Sequence, residues 1–343
     1  MSRPSAAQSV MPGRHITLLV RATIAALLVA LSMGCSRSRV DRIKANGYLT
    51  CGVNPVTPGF ATADASGTLH GFDIDICRAV AAAIVGSPER VHFKTTIHVE
   101  DFIGDNAVDM VSRRLTWTLP REGQGLLFGP VVFYDGQAVL TTVPDWSAVP
   151  ICVVGGGPHE FNLNQYGRRA GLQLRKVTVR SLDEALAAAN AHRCEAITAD
   201  VSELIGLRTR FSDQGAVTLA TTLLSKEPLA PVVRHGDDQL FNIVRWSVYA
   251  LIGAEEMGVS SGDVDAHLAS DDLDIRLLLG VVPGSGRALG LDDQWARRIV
   301  ATVGNYGEVF DRNLGKASRF NLPRGLNDLW NRGGLLYAPL LRQ

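Results

Sequence analysis

The chain has 343 residues, of which 46% are hydrophobic, and its 34 lysines and arginines balance 34 aspartates and glutamates. This length predicts about two domains, each large enough to bury a core, and the hydrophobic content excludes a disordered protein. A formal net charge of zero gives no basic surface for nucleic acid, so a nucleic-acid-binding protein is not indicated.

The N-terminal segment, residues 1–34, is predicted to be a signal peptide. It contains three arginines and no acidic residue, and 22–31 is an uncharged run that is apolar except for Thr23. A basic flank followed by a short apolar run is typical of a secretory signal, and the run is too short to span a bilayer. The alternative is a short buried core helix. Without this segment the chain carries 31 basic and 34 acidic residues and is mildly acidic.

The residues after the apolar run predict a lipid anchor. Leu31-Ser32-Met33-Gly34-Cys35 resembles the bacterial lipobox, although Ser32 stands where that pattern has leucine. Diacylation of Cys35 would anchor the protein stably to a membrane. The alternative is ordinary cleavage nearby, which would release a free periplasmic protein.

The first part of the remaining chain, up to residue 112, reads as a run of alternating strands and helices, which indicates a parallel sheet. Asp73 is the expected N-cap of the first apolar helix, and Gly86 is expected to end it. The predicted elements are strand 48–53, helix 73–84, strand 91–97, helix 99–106 and strand 107–112.

A second run repeats this order and predicts a second α/β lobe, with a cleft between the two lobes. Ser181 is the expected N-cap of its second helix. A long helix over 241–257 and short helices follow, and we expect this tail to cover the first lobe. The predicted elements of the second run are strand 151–154, helix 161–170, strand 174–179, helix 182–192, strand 195–198, helix 202–211 and strand 217–224.

Four cysteines follow Cys35, an even number that suits disulfide bonds in an oxidising compartment. Three pairings are possible in principle. The predicted topology favours one disulfide bond within each lobe, because each bond then joins neighbouring elements. The favoured pairs are Cys51 with Cys77 and Cys152 with Cys194.

Other motifs carry little chemistry. Residues 258–262 fit the letters of the GxSxG nucleophile motif, but they lie between helices and are expected to form a surface turn. The histidines show no metal-ligand spacing, and no dinucleotide or phosphate-binding motif occurs. The sequence therefore predicts no metal site, no cofactor and no catalytic residues.

The residues most indicative of ligand binding follow the third predicted strand of each run, at 112–121 and at 198–200. Ligands of open α/β sheets bind at this edge, where one lobe offers the arginines and hydroxyls of 112–121 and the other offers Asp200. A zwitterionic amino acid needs a guanidinium for its carboxylate and an anion for its ammonium. The alternative is that these residues are caps or surface ion pairs. Arg113 and Arg114 in particular are expected to be solvated.

Several long stretches together resemble the solute-binding proteins of polar amino-acid ABC transporters, and within them the general L-amino-acid-binding group. These stretches follow one another over nearly the whole chain after the leader. They are CGVNPVTPGFA (51–61), GFDIDICRAVAAAI (71–84), VSRRLTWTLPRE (111–122), FYDGQ (133–137), SKEPLAPVVRHGDDQLFNIVRWSVYALIGAEEMG (225–258), VGNYGEVFDRNLG (303–315) and LPRGLNDLWNRGGLLYAP (322–339).

The resemblance implies a type II periplasmic binding protein fold, in which two parallel-sheet α/β lobes are joined by two crossing hinge strands. Lobe 1 would comprise 41–138 and 232–343, the latter including a helical C-terminal extension, and lobe 2 would comprise 139–231. The crossings are expected near 133–142 and 225–234. The implied function is extracytoplasmic amino-acid binding by a monomer that delivers its ligand to an ABC permease on hinge closure.

The resemblance also implies which residues bind the ligand. Arg121 matches the arginine that holds the ligand carboxylate, Thr116 a hydroxyl at the same end, and Asp200 the carboxylate that takes the ammonium. Asn54 and Phe60 match a loop that lines the cleft in the family.

Two segments depart from the family pattern. Gly156-Gly157-Pro158 replaces a Gly-Thr-Thr segment, which removes two hydroxyls and one N–H; the glycine amides could compensate as an anion nest. Arg114-Leu115 replaces an Asn-Thr pair. These departures keep two alternatives open. One is a ligand sensor or non-transport lipoprotein with a degenerate pocket, and the other is a dehydratase-type enzyme with Asp200 or His159 as acid or base.

Overall fold

The computed structural model describes residues 38–95, 102 and 108–342, and Arg39–Gln343 form one compact unit. The leader, Cys35 and most of the predicted helix 99–106 lie outside the described residues. Within the described ranges, no helix is both long enough and apolar enough to cross a membrane.

The elements alternate along the chain as the sequence predicts. The strands are β1 (Leu49–Val53), β2 (Val56–Thr57), β3 (Ala61–Ala63), β4 (Leu69–His70), β5 (Val91–Thr95), β6 (Met110–Val111), β7 (Leu126–Phe128), β8 (Phe133–Asp135), β9 (Gln137–Thr141), β10 (Ile151–Val154), β11 (Lys176–Val179), β12 (Ala196–Asp200), β13 (Thr218–Leu219), β14 (Glu227–Leu229) and β15 (Val232–Arg234). The helices are α1 (Arg39–Asn46), α2 (Phe72–Val85), α3 (Leu119–Gly123), α4 (Pro158–Ala170), α5 (Leu182–Asn190), α6 (Val201–Arg208), α7 (Asp238–Glu256), α8 (Leu273–Leu278), α9 (Ser285–Leu289), α10 (Trp295–Val303) and α11 (Tyr306–Asn313).

Two five-stranded sheets form the centres of the two lobes. The first has the order β5-β1-β6-β15-β7 and the second the order β11-β10-β12-β9-β13. The strands of the two β/α runs pair in parallel, as predicted, since β1 pairs with β5 and β6, and β10 pairs with β11 and β12. Strands β15 and β9 join antiparallel, so both sheets are mixed.

The chain crosses between the lobes twice. Strands β8 and β14 pair antiparallel in a two-stranded sheet of their own, with Asp135 opposite Glu227 and Phe133 opposite Leu229. Both strands fall inside the stretches expected for the crossings. Each sheet receives an antiparallel strand, β9 or β15, just after one of the crossings.

The first long helix begins differently from the prediction. Gly71, with φ 137°, is the N-cap of α2, and a Cβ there would lie 2.1 Å from the carbonyl oxygen of Phe60. Asp73 is therefore not the N-cap but a buried residue of the first turn, where it accepts a hydrogen bond from the Ser112 hydroxyl. The predicted end is confirmed, since Gly86 adopts the left-handed conformation with φ 82°.

The second lobe confirms some predicted boundaries and corrects others. Ser181 caps α5 by accepting from the N–H of Glu184. The predicted strand 217–224 is wrong in length, because only β13 is regular. The chain beyond β13 bends along β9 toward the second crossing, where the Leu224 N–H donates to the carbonyl of Gln137.

The tail packs on the first lobe, as expected. Helices α7 and α10 both pack against α2, and their buried side chains belong to one apolar core with β1 and α2. The end of the tail is held by Glu255, which accepts hydrogen bonds from Arg324 and Arg332. The Asn327 side chain bonds the backbone of Tyr134 in β8, which attaches the tail to the first crossing.

Both predicted disulfide bonds are confirmed. Cys51 of β1 is bonded to Cys77 of α2, and Cys152 of β10 is bonded to Cys194 just before β12. All four cysteines are buried, so each bond joins neighbouring elements inside one core.

Candidate functional site

The segment that leads to Arg121 is attached to the second crossing. The Leu115 carbonyl accepts from the Ala230 N–H at 3.1 Å, and the Trp117 N–H donates to the Pro228 carbonyl at 2.8 Å. Thr116 lies between these bonds, opposite Leu229. Thr116 is thereby held beside β14, where the chain passes from one lobe to the other.

Arg121 is oriented by its own helix start. Thr118 caps α3 by accepting from the Arg121 N–H, and Pro120 suits the first turn because it lacks an N–H. The Arg121 guanidinium donates from Nη1 to the Thr116 carbonyl at 2.8 Å. A guanidinium has five N–H groups, so this bond fixes the fork and leaves donors for a ligand carboxylate.

Asp200 lies at the carboxyl end of a strand in the second sheet. It is the last residue of β12, opposite Gln137 of β9, and the residue before α6. Its carboxylate Oδ1 lies 3.2 Å from His159 Nε2, and a quarter of its side chain is exposed. The carboxylate is therefore fixed in position and accessible.

His159 lies beside the Asp200 carboxylate and is mostly buried. It lies in the first turn of α4 with 21% of its side chain exposed, and Nε2 is 3.9 Å from Glu203 Oε2. Burial opposes a charge on the imidazole, but the hydrogen bond to Asp200 and the neighbouring carboxylates outweigh it, so the pKa of His159 lies above its usual value.

Arg114 is not solvated, which corrects the prediction. Its guanidinium reaches the other lobe, where Nη1 donates to the Ser202 hydroxyl at 2.7 Å and Nη2 lies 3.7 Å from Glu203 Oε1. The guanidinium also lies over the Phe60 ring at 5.8 Å. Its backbone φ of 56° is uncommon for a residue with a side chain and indicates that surrounding contacts hold it.

Buried acceptors lie beside Asp200. Asp135 of the first crossing is buried; Oδ1 accepts from the N–H groups of Gly136 and Ser202, while Oδ2 has no partner among the described residues. Burial, and then the charge of Asp200, raises the pKa of Asp135 to about 7. Gln137 donates from Nε2 to the His159 carbonyl and the Thr198 hydroxyl, which ties α4 to β12.

The glycine segment 155–157 already makes a hydrogen bond within the protein. The Gly156 N–H donates to Glu160 Oε2 at 2.9 Å, and the other oxygen of Glu160 pairs with Lys176 at 2.8 Å. Gly156 has φ 73°, which favours glycine, and Gly157 precedes α4 as its N-cap. The Gly156 amide would have to leave Glu160 before it could bind a ligand.

The two residues of the first loop differ in position. The Phe60 ring is buried against Phe72 and Phe133, with ring centroids 5.9 and 5.1 Å away, so its contact with the site is made through Arg114. Asn54 is half-buried, and its carbonyl accepts from the Val56 N–H. The ligand-binding roles of both stay predictions.

Sequence reasoning missed four contributors: Arg114, Asp135, Gln137 and Glu203. They come from three separate segments, at 114, 135–137 and 203, and only the pairing of β8 with β14 and of β9 with β12 brings them to one edge. One signal was available. Glu203 follows Asp200 by three residues, which places both on one face at the start of a helix.

Comparison with known proteins identifies the family. The family described as bacterial extracellular solute-binding proteins, family 3, matches residues 49–258. The chain is 41% identical over 337 residues to the general L-amino acid-binding periplasmic protein AapJ of Rhizobium johnstonii, with 95% of this chain and 99% of that protein covered. It is 37% identical over 328 residues to the glutamate/glutamine/aspartate/asparagine-binding protein BztA of Rhodobacter capsulatus, with 92% and 97% covered.

A solved structure agrees with these matches. A periplasmic binding protein of an ABC transporter from Brucella ovis, with glutathione bound, superposes with a TM-score of 0.79 at 37% identity, covering 89% of this chain and all of that one. This neighbour and the mixed α/β sheets confirm the predicted two-lobe type II fold. Relatives of this kind act in transport outside the cytoplasm, which agrees with the predicted non-enzymatic role and location. The chain is a member of the bacterial extracellular solute-binding proteins of family 3.

Proposed function

We propose that this protein binds an L-amino acid in the cleft between its lobes and delivers it to an ABC permease by hinge closure. One observation carries the proposal: a fixed guanidinium, Arg121, and a fixed carboxylate, Asp200, flank the hinge from opposite lobes. Arg121 is held beside β14 and Asp200 beside β9, directly after β8. Because β8 pairs with β14, the two charges lie at the same end of the cleft.

The two charges match the two ends of a free amino acid. The remaining N–H groups of Arg121 can hold the α-carboxylate in a bidentate pair, with the Thr116 hydroxyl at the same end. The Asp200 carboxylate can accept the α-ammonium. A ligand held this way bridges the lobes, so it favours the closed form by its higher affinity for that form.

The division into lobes follows from the same arrangement. We assign 41–138 and 232–343 to lobe 1 and 139–231 to lobe 2, with the hinge at β8 and β14. This division puts Arg121 and Asp200 on different lobes. A monomer is sufficient for this mechanism, because both ligand-binding groups come from one chain.

Calorimetric titration of the common L-amino acids tests the site. We expect at least one to bind the wild type, and Arg121→Ala to weaken its binding by roughly tenfold or more, because a charge-assisted hydrogen bond contributes about 1.5–3 kcal/mol. Glutathione belongs in the panel, since its γ-glutamyl end is a free α-amino acid and the Brucella ovis neighbour has it bound.

Arg180→Ala is the matched control, because Arg180 lies on lobe 2 with 93% of its side chain exposed. It should bind as the wild type does. Equal affinity in the Arg121→Ala variant and the wild type would reject the site assignment. Failure of every amino acid to bind the wild type would reject the function and favour the non-transport alternative.

The same proposal extends to export. Residues 1–34 direct the chain out of the cytoplasm and are removed, and Cys35 then carries the lipid that anchors the protein beside its permease. The basic flank and apolar run support export, and the lipobox-like sequence before Cys35 supports lipidation.

A further inference from the structure

We propose that His159, Asp200 and Glu203 form a binding site for a divalent transition-metal ion of the Zn²⁺ type. One imidazole nitrogen and two carboxylates are a ligand set that such ions accept. The sequence predicted no metal site, because the histidines show no metal-ligand spacing. The fold brings them together from α4, β12 and α6.

The distances suit one ion between the three groups. A tetrahedral ion with bonds of about 2.1 Å holds its ligand atoms about 3.4 Å apart. His159 Nε2 lies 3.2 Å from Asp200 Oδ1 and 3.9 Å from Glu203 Oε2, and one ligand atom from each residue lies within 4.8 Å of the others. Small side-chain adjustments are therefore enough to complete the coordination.

The three residues are held by their surroundings, as metal ligands usually are. The Gln137 side chain donates to the His159 carbonyl and to the Thr198 hydroxyl, and so fixes the first turn of α4 against β12. Arg114 lies 3.7 Å from Glu203 Oε1. That contact leaves Oε2, the oxygen nearer His159, for an ion.

The carboxylates around His159 create a negative charge that would favour a bound cation. Asp200 and Glu203 face His159, and Asp135 Oδ2 is a buried carboxylate oxygen without a partner among the described residues. Arg114 is the cation that approaches Glu203, and the ion would supply the positive charge on the Asp200 side.

Asp200 would bind both the metal ion and, in the proposed function, the α-ammonium of the amino acid. The metal proposal rests on the geometry of the three side chains and not on amino-acid binding. We expect zinc and the amino acid to compete, because both need the Asp200 carboxylate.

Titration of the full chain, prepared without a histidine tag, with Zn²⁺ alone tests the site. We expect one ion to bind per chain. His159→Ala should weaken zinc binding by roughly tenfold or more, because even the mutation of residues that only support metal ligands lowers metal affinity by about that factor. Glu203→Gln should weaken it similarly. His70→Ala is the control, because His70 and Asp64 form an exposed pair at 2.8 Å that is a possible two-ligand contact elsewhere.

Unchanged zinc affinity in both site variants, or loss of binding only in His70→Ala, would overturn the proposal. Circular dichroism confirms that each variant is folded. If His159→Ala does not fold, the visible spectrum of bound Co²⁺ in the wild type and in Glu203→Gln decides: an unchanged spectrum rejects Glu203 as a ligand and with it the site. Loss of amino-acid binding in Arg121→Ala leaves the zinc result intact, so the two proposals fail separately.

Discussion

At the scale of single residues, Asp73 shows what a buried carboxylate costs. It is 4% exposed and accepts hydrogen bonds from the Ser112 hydroxyl, at 2.8 Å, and from the backbone N–H of Arg114. Burial raises its pKa to about 6, against the hydrogen bond from Ser112 and the nearby charge of Arg114. The unfolded value is 3.8, so the folded protein binds more protons than the unfolded chain between these two values.

We therefore expect the free energy of unfolding to decrease, by about 3 kcal/mol in all through this residue, as the pH rises from well below 4 to well above 6. Asp73→Asn cannot ionise and keeps an oxygen for Ser112, so this part of the pH dependence should disappear. Urea unfolding at about pH 4.5 and about pH 7.5 measures it. Asp183→Asn, with 76% of the Asp183 side chain exposed, should keep the wild-type difference. An identical difference in the Asp73 variant would contradict the expectation.

At the scale of elements, the C-terminal extension is fastened to α7 through one carboxylate. Arg324 makes two hydrogen bonds of 3.1 Å with Glu255, one to each oxygen, and its guanidinium lies 5.0 Å from the rings of Tyr306 and Phe310. Arg332 makes a further bond of 3.1 Å. Since Asn327 of the same extension bonds Tyr134, this attachment also supports the first crossing strand.

Arg324→Ala should lower the free energy of unfolding by about 3 kcal/mol, because it leaves the buried Glu255 carboxylate with only the outer arginine. Arg332→Ala should cost about 1 kcal/mol or less, since 55% of that side chain is exposed and its pair is screened by water. Urea denaturation of both variants compares the two. Equal decreases in the free energy of unfolding would contradict this expectation and show that the two arginines stabilise Glu255 to the same extent.

At the scale of the whole molecule, the lobes make contact through Arg114 and also through the close approach of α6 to β2. A Cβ on Gly206 of α6 would lie 3.2 Å from the Pro58 side chain. Arg208 of α6 donates to the Phe320 carbonyl of the extension at 2.7 Å. The contact between the lobes is therefore supported by the protein's own polar and apolar contacts, to which a bound ligand would add a bridge.

The location of the whole molecule depends on one residue in our proposal. Cys35→Ser should move the exported protein from the membrane fraction to the soluble periplasmic fraction, because it removes the atom that carries the lipid. Fractionation with antibody detection measures the change, and Arg180→Ala is the control because that side chain is exposed; this variant should stay in the membrane fraction. A wild-type protein already found in the soluble fraction would contradict lipidation.

Much of this architecture was predictable from local pattern. The alternation of strands and helices, the cap at Ser181 and the stop at Gly86 follow from short-range rules and were confirmed. The start of α2 was not predictable, because the reason for Gly71 is the backbone of Phe60. The environment of Arg114 was also missed, because its partners Ser202 and Glu203 are about 90 residues away and on the other lobe.

The sequence by itself determined the two α/β lobes and the family and favoured the disulfide pairs that the structure confirms, since these depend on periodicity, long ordered motifs and cysteine position. Only the tertiary structure decided which side chains surround Asp200. The antiparallel pairing of β8 with β14 and of β9 with β12 brings Asp135, Gln137, His159 and Glu203 around Asp200. The physical reason is that contacts between residues far apart in the chain depend on strand pairing across the hinge, which no local pattern records.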